Sequence, residues 1–164
     1  MTHARTSNVD QTRALGAAIA SLTRAGDLIL LAGDLGAGKT AFAQGFASGI
    51  GVTEAVTSPT FTLARHYEGT KLRLHHLDVY RLDHLQEAVD LGLSELIDDD
   101  EGVTLIEWGD VVIPMLQPDF LEVCLAYGYD DDERLLSMRV VGNGWSARRH
   151  ALDDVLVPWQ AATP

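Results

Sequence analysis

The sequence predicts an α/β fold, a single domain with a mixed central sheet flanked by helices. Residues 28–31 are apolar at every position, as in a parallel strand covered on both faces, and a glycine-rich turn and a helix follow them. A second buried strand is predicted over residues 103–108. Because β-hairpins are predicted before and after it, the sheet combines parallel and antiparallel pairs.

The other elements are predicted in chain order. Asp10 is expected to cap an amphipathic helix that continues to Arg24, and a second helix covers residues 40–48. Residues 56–62 are rich in β-branched side chains and favour a strand with Pro59 at its start. The hairpins pair residues 61–67 with 72–80 and 120–127 with 134–141, and one or two short helices over 82–97 are broken at Gly92.

Three segments are expected along the chain. Residues 1–8 are predicted to be a flexible arm, and residues 9–141 the folded domain. Residues 142–164 hold Trp145 and Trp159 around a short amphipathic stretch. We expect this last segment to be weakly ordered or a docking element.

Composition limits the classes of function. The chain has 164 residues, and its 12 Lys and Arg against 24 Asp and Glu give a formal charge of −12. Such an acidic chain is a poor binder of DNA or RNA, so any work on nucleic acid is expected to pass through a partner. Cys124 is the only cysteine, and no apolar stretch approaches the about 20 residues of a membrane span. We therefore expect a cytoplasmic protein without membrane contact.

Residues 33–40, GDLGAGKT, fit the phosphate-loop (Walker A) pattern G-x-x-x-x-G-K-[ST] between a predicted strand and a predicted helix. The glycines let successive backbone N–H groups point at one phosphate group, and the helix adds its positive N-terminus. Lys39 is expected to reach the β- and γ-phosphates, and the Thr40 hydroxyl to bind Mg²⁺. The sequence therefore predicts a nucleotide-binding domain resembling the P-loop NTPases.

Glu107 follows four largely apolar residues near the end of the strand predicted over residues 103–108. In this position it resembles the acid of a Walker B strand. Two roles remain open for it: holding Mg²⁺ through water, or orienting the attacking water. The alternative is a carboxylate that simply faces solvent. Neither lysine, Lys39 or Lys71, follows an asparagine, so the guanine-reading pattern N-K-x-D is absent and adenine is the expected base.

A polar row lies on the strand predicted over residues 72–80. His76, Asp78 and Tyr80 alternate with apolar residues, so they share one strand face and indicate the wall of a site. The alternative is an ordinary polar edge strand. The segment SPTF at 58–61 lies in the interval where P-loop enzymes place switch residues, and its Thr60 is a candidate sensor of the γ-phosphate.

Four ordered motifs, GDLGAGKT (33–40), SPTFTL (58–63), HLDVYRL (76–82) and LIEWGD (105–110), resemble those of the bacterial TsaE (YjeE) family. That family is the P-loop ATPase subunit of the machinery that makes threonylcarbamoyladenosine (t6A) at position 37 of tRNA. The resemblance covers about residues 9–140. It implies a Mg²⁺-dependent ATPase, slow alone, that binds ATP and ADP and acts on tRNA indirectly through the partner proteins TsaB and TsaD.

The resemblance also implies roles for individual residues. Asp78 would activate or orient water, and Thr60, Asp78 and Trp108 would lie at the nucleotide site or the partner interface. The stretch 9–12 and Arg134 would contact adenine. The resulting candidates are Lys39, Thr60, Asp78 and Glu107 for catalysis, Thr40 and Glu107 for the metal, and Val9, Thr12, Asp34, Leu35, Gly36, Ala37, Gly38, Lys39, Thr40, Ala41, Trp108 and Arg134 for ATP.

Two other classes of function compete with this interpretation. A small-molecule kinase would close an arginine-bearing lid over its acceptor, and no insertion of that kind is evident in the sequence. A nucleotide-binding module would hold ATP without hydrolysing it.

Overall fold

The computed structural model describes residues 1–59, 63–80, 82, 84–90, 92–108 and 112–160. The strands are β1 (Thr2–Thr6), β2 (Leu28–Gly33), β3 (Ala64–Glu68), β4 (Arg73–Asp78), β5 (Gly102–Glu107), β6 (Phe120–Tyr127) and β7 (Arg134–Val141). The α-helices are α1 (Val9–Ala20), α2 (Lys39–Gly49), α3 (Leu85–Asp90), α4 (Leu93–Ile97), α5 (Asn143–Ser146) and α6 (Arg149–Leu156). The strand and helix predicted around the glycine turn, both hairpins and the break at Gly92 are confirmed.

The strands form one seven-stranded sheet in the order β1-β7-β6-β2-β5-β4-β3. The inner strands β6, β2, β5 and β4 are parallel, whereas the pairs β3–β4, β6–β7 and β1–β7 are antiparallel. The predicted single α/β domain with a mixed sheet is therefore confirmed. Because β2, β4 and β5 are parallel, their carboxyl ends meet at one edge of the sheet.

Alternate residues of the inner strands face two different layers of helices. Ile29 and Leu31 of β2 face the core formed with α1 and α2, which contains Phe42 and Phe46. Leu28 and Leu30, together with Ile106 of β5, face a second core formed with α3 and α4. Burial on both faces explains why β2 lacks the polar alternation of a half-exposed strand. The sheet thus has two separate sides on which sites can form.

The predicted flexible arm over residues 1–8 is wrong, because residues 2–6 form strand β1. β1 pairs antiparallel with β7, from Thr2 opposite Met138 to Thr6 opposite Arg134. Its side chains alternate, with Thr2, Ala4 and Thr6 buried. The backbone hydrogen bonds of the β7 edge and the burial of this face hold the segment in place.

The predicted weakly ordered tail over residues 142–164 is also wrong for the part described, residues 142–160. The indole of Trp145 is fully buried, and Leu152 and Leu156 of α6 join the core beside α1. The Arg148 guanidinium binds both carboxylate oxygens of Asp27, at 2.5 and 2.8 Å. Apolar burial and this two-point ion pair fix the segment to the rest of the domain.

Two local predictions, the cap of the first helix and the strand over residues 56–62, also differ from the structure. Helix α1 is capped by Asn8, whose side-chain oxygen accepts from the Gln11 amide at 2.9 Å, and not by Asp10. The expected strand over 56–62 is absent from residues 56–59, which have no regular structure, and residues 60–62 lie outside the described residues. Pro59 lacks the N–H that a paired strand residue needs.

None of the helices in the described ranges combines the length and the apolar character needed to cross a membrane.

Candidate functional site

The glycine-rich turn connects β2 directly to α2, as the phosphate-loop pattern predicts. Gly33, Gly36 and Gly38 have positive φ angles of 144°, 78° and 103°. A side chain on Gly33 would collide with the Leu125 carbonyl of β6, and one on Gly36 would meet the Tyr127 hydroxyl. Glycine is therefore required here for backbone conformation and for close packing. The loop ends at the N-terminus of α2, where free backbone N–H groups favour an anion.

Lys39, the first residue of α2, is 6% exposed and folds over this loop. Its ammonium group donates to the carbonyl oxygens of Gly33 at 2.7 Å and Asp34 at 2.9 Å. The same group lies 4.3 Å from the ring centroid of Trp108, within range of a cation–π interaction. Burial lowers the pKa of Lys39 from its ordinary value, although the carboxylates of Glu107, Asp78 and Asp34 act in the opposite direction.

Two buried carboxylates face Lys39 from adjacent strand ends. Asp78 of β4 and Glu107 of β5 are direct neighbours in the parallel register, and they are 6% and 3% exposed. The alternative of a solvent-facing Glu107 is therefore wrong. Burial raises the pKa of Asp78, opposed by its hydrogen bond from the Tyr80 amide and reinforced by the Glu107 charge.

His76 supports Glu107 from within the sheet. Its Nε2 lies 2.9 Å from Glu107 Oε1, and the imidazole is fully buried. The face shared by His76 and Asp78 agrees with the predicted polar row, while Tyr80 lies beyond the end of β4 and is 62% exposed. The sequence places His76 on the site wall but assigns it no role, because its contact with Glu107 depends on pairing between β4 and β5, which is not visible in a single sequence.

These groups surround one cavity of about 360 Å³, the front cavity. It is lined by eight of the candidate residues, Leu35, Gly36, Gly38, Lys39, Thr40, Asp78, Glu107 and Trp108, and additionally by Ser58 and Tyr80. Asp34 and Ala37 belong to the same loop but do not line the cavity. Thr60, the proposed γ-phosphate sensor, lies outside the described residues.

A smaller cavity of about 60 Å³, the side cavity, adjoins the front cavity at Gly38. Its lining includes all the remaining candidate residues, Val9, Thr12, Ala41 and Arg134, together with Asp132. The Arg134 guanidinium lies 4.7 Å from the ring centroid of Tyr127, whose hydroxyl donates to the Leu35 carbonyl at 2.7 Å. Tyr127 and Asp132 were missed because both reach the site from a hairpin almost 100 residues beyond the loop.

The chemistry of these donors fits a nucleotide with Mg²⁺. Backbone amides and an ammonium group favour phosphate oxygens, and Thr40, Asp78 and Glu107 present the oxygen ligands that Mg²⁺ prefers. Among the described residues no group of three or more His, Cys, Asp or Glu forms a metal cage by itself. Mg²⁺ is commonly held by one or two carboxylates plus substrate phosphates and water, for which such a cage is not needed.

Comparison with known proteins identifies the family. Residues 6–135 match the model of the family described as "Threonylcarbamoyl adenosine biosynthesis protein TsaE". The chain is 42% identical over 139 residues to tRNA threonylcarbamoyladenosine biosynthesis protein TsaE of Bacillus subtilis, covering 85% of each chain. It is 41% identical over 140 residues to the protein of the same name from Streptomyces coelicolor, covering 82% of this chain and 93% of that one.

The fold agrees with this assignment. The crystal structure of Bacillus subtilis YdiB superimposes with a TM-score of 0.79 at 36% identity, covering 93% of this chain and 94% of the other. The family match spans most of the sheet and the residues that line both cavities. The chain therefore belongs to the TsaE family of threonylcarbamoyl adenosine biosynthesis proteins, with a role in t6A biosynthesis.

Proposed function

We propose that this chain is the ATP-binding and ATP-hydrolysing subunit of the t6A machinery, acting through TsaB and TsaD. One observation carries the proposal: a phosphate loop, its lysine and two buried strand-end carboxylates line a single cavity. A loop that only bound phosphate would not require two adjacent carboxylates, whose negative charges oppose an anion. A bound divalent cation would resolve that conflict by offsetting the negative charge.

Each group has a defined part in phosphoryl transfer to water. The backbone amides of residues 34–39 hold the phosphates, and Lys39 exchanges its carbonyl partners for β- and γ-phosphate oxygens. Thr40 and Glu107 would hold Mg²⁺, which would supply positive charge to neutralise the phosphates. His76 fixes the orientation of Glu107 through its 2.9 Å contact.

Asp78 is then the group that orients the attacking water. Its raised pKa makes it a better proton acceptor than an ordinary aspartate, and its Oδ1 is already fixed by the Tyr80 amide at 3.0 Å. Oδ2 lies 3.5 Å from the Ser58 hydroxyl, at the limit of a hydrogen bond. We assign the metal to Glu107 and the water to Asp78 because Glu107 has the more rigid support.

The side cavity is the proposed site of adenine. Val9 and Ala41 supply apolar contact, Thr12 and Asp132 supply polar groups, and Arg134 supplies a flat cation. Gly38 lines both cavities, which supports a base bound next to the phosphates of the loop. The absence of N-K-x-D from the sequence agrees with adenine and not guanine.

Reconstitution tests this function. TsaB, TsaD, tRNA and ATP are combined with and without this chain, and modified tRNA and released phosphate are both measured. We expect tRNA modification to require the chain, and phosphate release to rise when the partners are added.

Unchanged ATP turnover on adding the partners would contradict the proposal. Radiolabel transferred from ATP to a metabolite would indicate a small-molecule kinase instead. Tight ATP binding without phosphate release in the full mixture would indicate a nucleotide-binding module.

A further inference from the structure

A second large cavity, the rear cavity, lies on the opposite side of the sheet from the nucleotide site. It has a volume of about 300 Å³ and lies between strands β3 and β4 and helices α3 and α4. Its walls are mostly aliphatic, including Leu63, Leu77, Val79, Leu82, Leu93 and Leu96. This volume is at the lower end of the about 300–1,000 Å³ of ligand pockets, so it suits one or two side chains better than a large cofactor.

The rear cavity has two polar groups on its lining, His66 and Glu95, and both side chains belong to exposed residues. His66 is the last member of a hydrogen-bonded chain: Asp99 Oδ2 lies 2.6 Å from His75 Nε2, and His75 Nδ1 lies 2.7 Å from His66 Nδ1. Asp99 accepts in this chain, so His75 donates from Nε2. With His75 Nδ1 as the acceptor of the next hydrogen bond, His66 donates from Nδ1, and its Nε2 is then a hydrogen-bond acceptor.

The neutral form of His66 is favoured by its surroundings. Burial lowers the pKa of His66, and the neighbouring His75 and Arg73 act in the same direction. Both polar groups of the rear cavity therefore accept hydrogen bonds near neutral pH. A matching ligand must donate them.

The helical wall of the rear cavity carries charge of one sign. Residues 82–101, which include α3 and α4, contain eight Asp and Glu and no Lys or Arg. Glu87 and Asp90 of α3 and Glu95 of α4 are exposed. This acidic surface extends beyond the cavity itself, so it complements a basic macromolecular surface and not only a single small cation.

We propose that the rear cavity docks a basic segment of a partner protein, with an apolar side chain inserted in the cavity and an adjacent arginine or lysine paired with Glu95 and His66. The inference rests on the proposed function, in which this subunit works through partner proteins. Burial of one leucine-sized side chain contributes about 1.5–3 kcal/mol, and the cation supplies orientation and specificity.

Charge reversal at the rim tests the docking site. We measure the affinity of the TsaB–TsaD complex for the full chain by isothermal titration calorimetry, comparing the wild type with Glu95→Lys. We expect binding to weaken by at least about tenfold. Glu54→Lys is the matched control, because Glu54 is exposed and does not line the rear cavity. Equal losses in the two variants, or no loss in either, would overturn the proposal.

A second variant separates filling the cavity from changing charge. Ala88 lines the rear cavity and is fully buried, so Ala88→Leu should occupy part of the space that the partner needs. ATP binding by the isolated variants should equal that of the wild type, because neither position lines the front or side cavity. If Ala88→Leu does not fold, the affinity of Glu95→Lys for TsaB–TsaD alone decides whether the rear cavity is a docking site.

A peptide probe keeps this inference distinguishable from the proposed partnership. A synthetic peptide of alternating leucine and arginine is titrated into the isotope-labelled chain, with a leucine–glutamate peptide as its control. We expect amide shifts near His66 and Leu93 with the basic peptide only.

If the wild type does not bind TsaB–TsaD but shows these shifts, the proposed partnership is wrong and the docking surface is supported. If neither peptide shifts those amides, the docking surface is wrong. Shifts produced by arginine amide alone would indicate a small-molecule site instead.

Discussion

Lys39 shows how one side chain depends on several distant parts of the sequence. Its ammonium group contacts loop carbonyls on one side and the Trp108 ring on another, and three carboxylates act on its pKa. The phosphate-loop pattern predicts the position of this lysine from local sequence alone. It does not predict the contact with Trp108 or the carboxylates of Asp78 and Glu107, because those depend on the pairing of β2 with β5 and of β5 with β4.

Replacing Lys39 by alanine should weaken ATP binding by at least about tenfold, equal to about 1.4 kcal/mol. The reason is loss of the cation that would contact the β- and γ-phosphates. Calorimetric titration with ATP and Mg²⁺ measures the effect. The matched control is Lys71→Ala, which removes the only other lysine, an exposed residue bonded to the Gly49 carbonyl. Equal ATP affinities of Lys39→Ala and the wild type would show that Lys39 does not contact the phosphates.

Asp78→Asn should lower ATP turnover and raise the melting temperature at about pH 7. The pKa of Asp78 is raised in the folded chain, so its stabilising contribution is present below the pKa of the unfolded carboxyl. That contribution is lost as the pH rises through the folded pKa. The ionised group therefore destabilises the fold near neutral pH.

The difference in melting temperature between Asp78→Asn and the wild type should shrink as the pH falls through the raised pKa of Asp78 and the carboxylate binds a proton. Thermal denaturation without added Mg²⁺ measures this. Wild-type turnover in Asp78→Asn, or a lower melting temperature near neutral pH, would show that Asp78 is a structural residue.

Strands and helices differ in how far their sequences predict them. β2 is mostly a continuous apolar run, β5 is largely apolar, and both hairpins contain turn residues, so the local sequence pattern is enough to predict them. β1 is only five residues long and carries polar residues on both faces, and its stability comes from the β7 edge far along the chain. Residues 56–59 show the reverse case: their β-branched composition favours a strand, but none of the strands in the described ranges pairs with them.

Strand β4 contributes a positioning residue that can be tested separately. His76→Ala should lower ATP turnover by about tenfold or more, with a smaller change in ATP affinity, because Glu107 loses the partner that orients it. His76→Gln retains an N–H donor and should recover part of the turnover. Equal turnover in the two variants would mean that His76 acts only by packing.

The β6–β7 hairpin lines the side cavity, the proposed site of adenine, and β1 supports this hairpin. Arg5 of β1 forms an ion pair with Glu133, a 2% exposed carboxylate that also accepts from the Tyr129 amide at 2.6 Å. The Glu133 carbonyl in turn accepts from Arg134 at 2.7 Å. The first strand of the chain is therefore connected to the side cavity.

Arg5→Ala should weaken ATP binding several-fold by loosening this hairpin tip. The control is Arg139→Ala, which removes an ion pair to Glu122 within the same hairpin, away from the side cavity. Fluorescence titration with an ATP analogue measures both variants. If the two variants lose the same affinity, the effect is general destabilisation and the connection through Glu133 is wrong.

The whole molecule carries a net charge of −12, which disfavours direct binding to the phosphates of tRNA. Association with nucleic acid is driven mainly by cations that neutralise phosphates, and this chain has only 12 Lys and Arg. Several of these are occupied within the fold: Arg148 by Asp27, Arg139 by Glu122 and Arg73 by Glu68 and Asp99.

The isolated chain should therefore show no salt-dependent binding to tRNA. When TsaB and TsaD are added, the chain should be retained on tRNA through these proteins. Filter binding across a salt series, with and without those proteins, measures this. Binding by the isolated chain with a steep salt dependence would contradict the indirect role.

Strand β4 presents Asp78 to the front cavity and, one residue either side, Leu77 and Val79 to the rear cavity. A nucleotide and a docked protein segment would thus rest against opposite sides of a single layer of backbone. Thermodynamic linkage makes any communication through that layer reciprocal: whatever factor ATP imposes on the affinity for the segment, the segment must impose on the affinity for ATP. The change in segment affinity on adding ATP and the change in ATP affinity on adding the segment would then be two measurements of the same free energy.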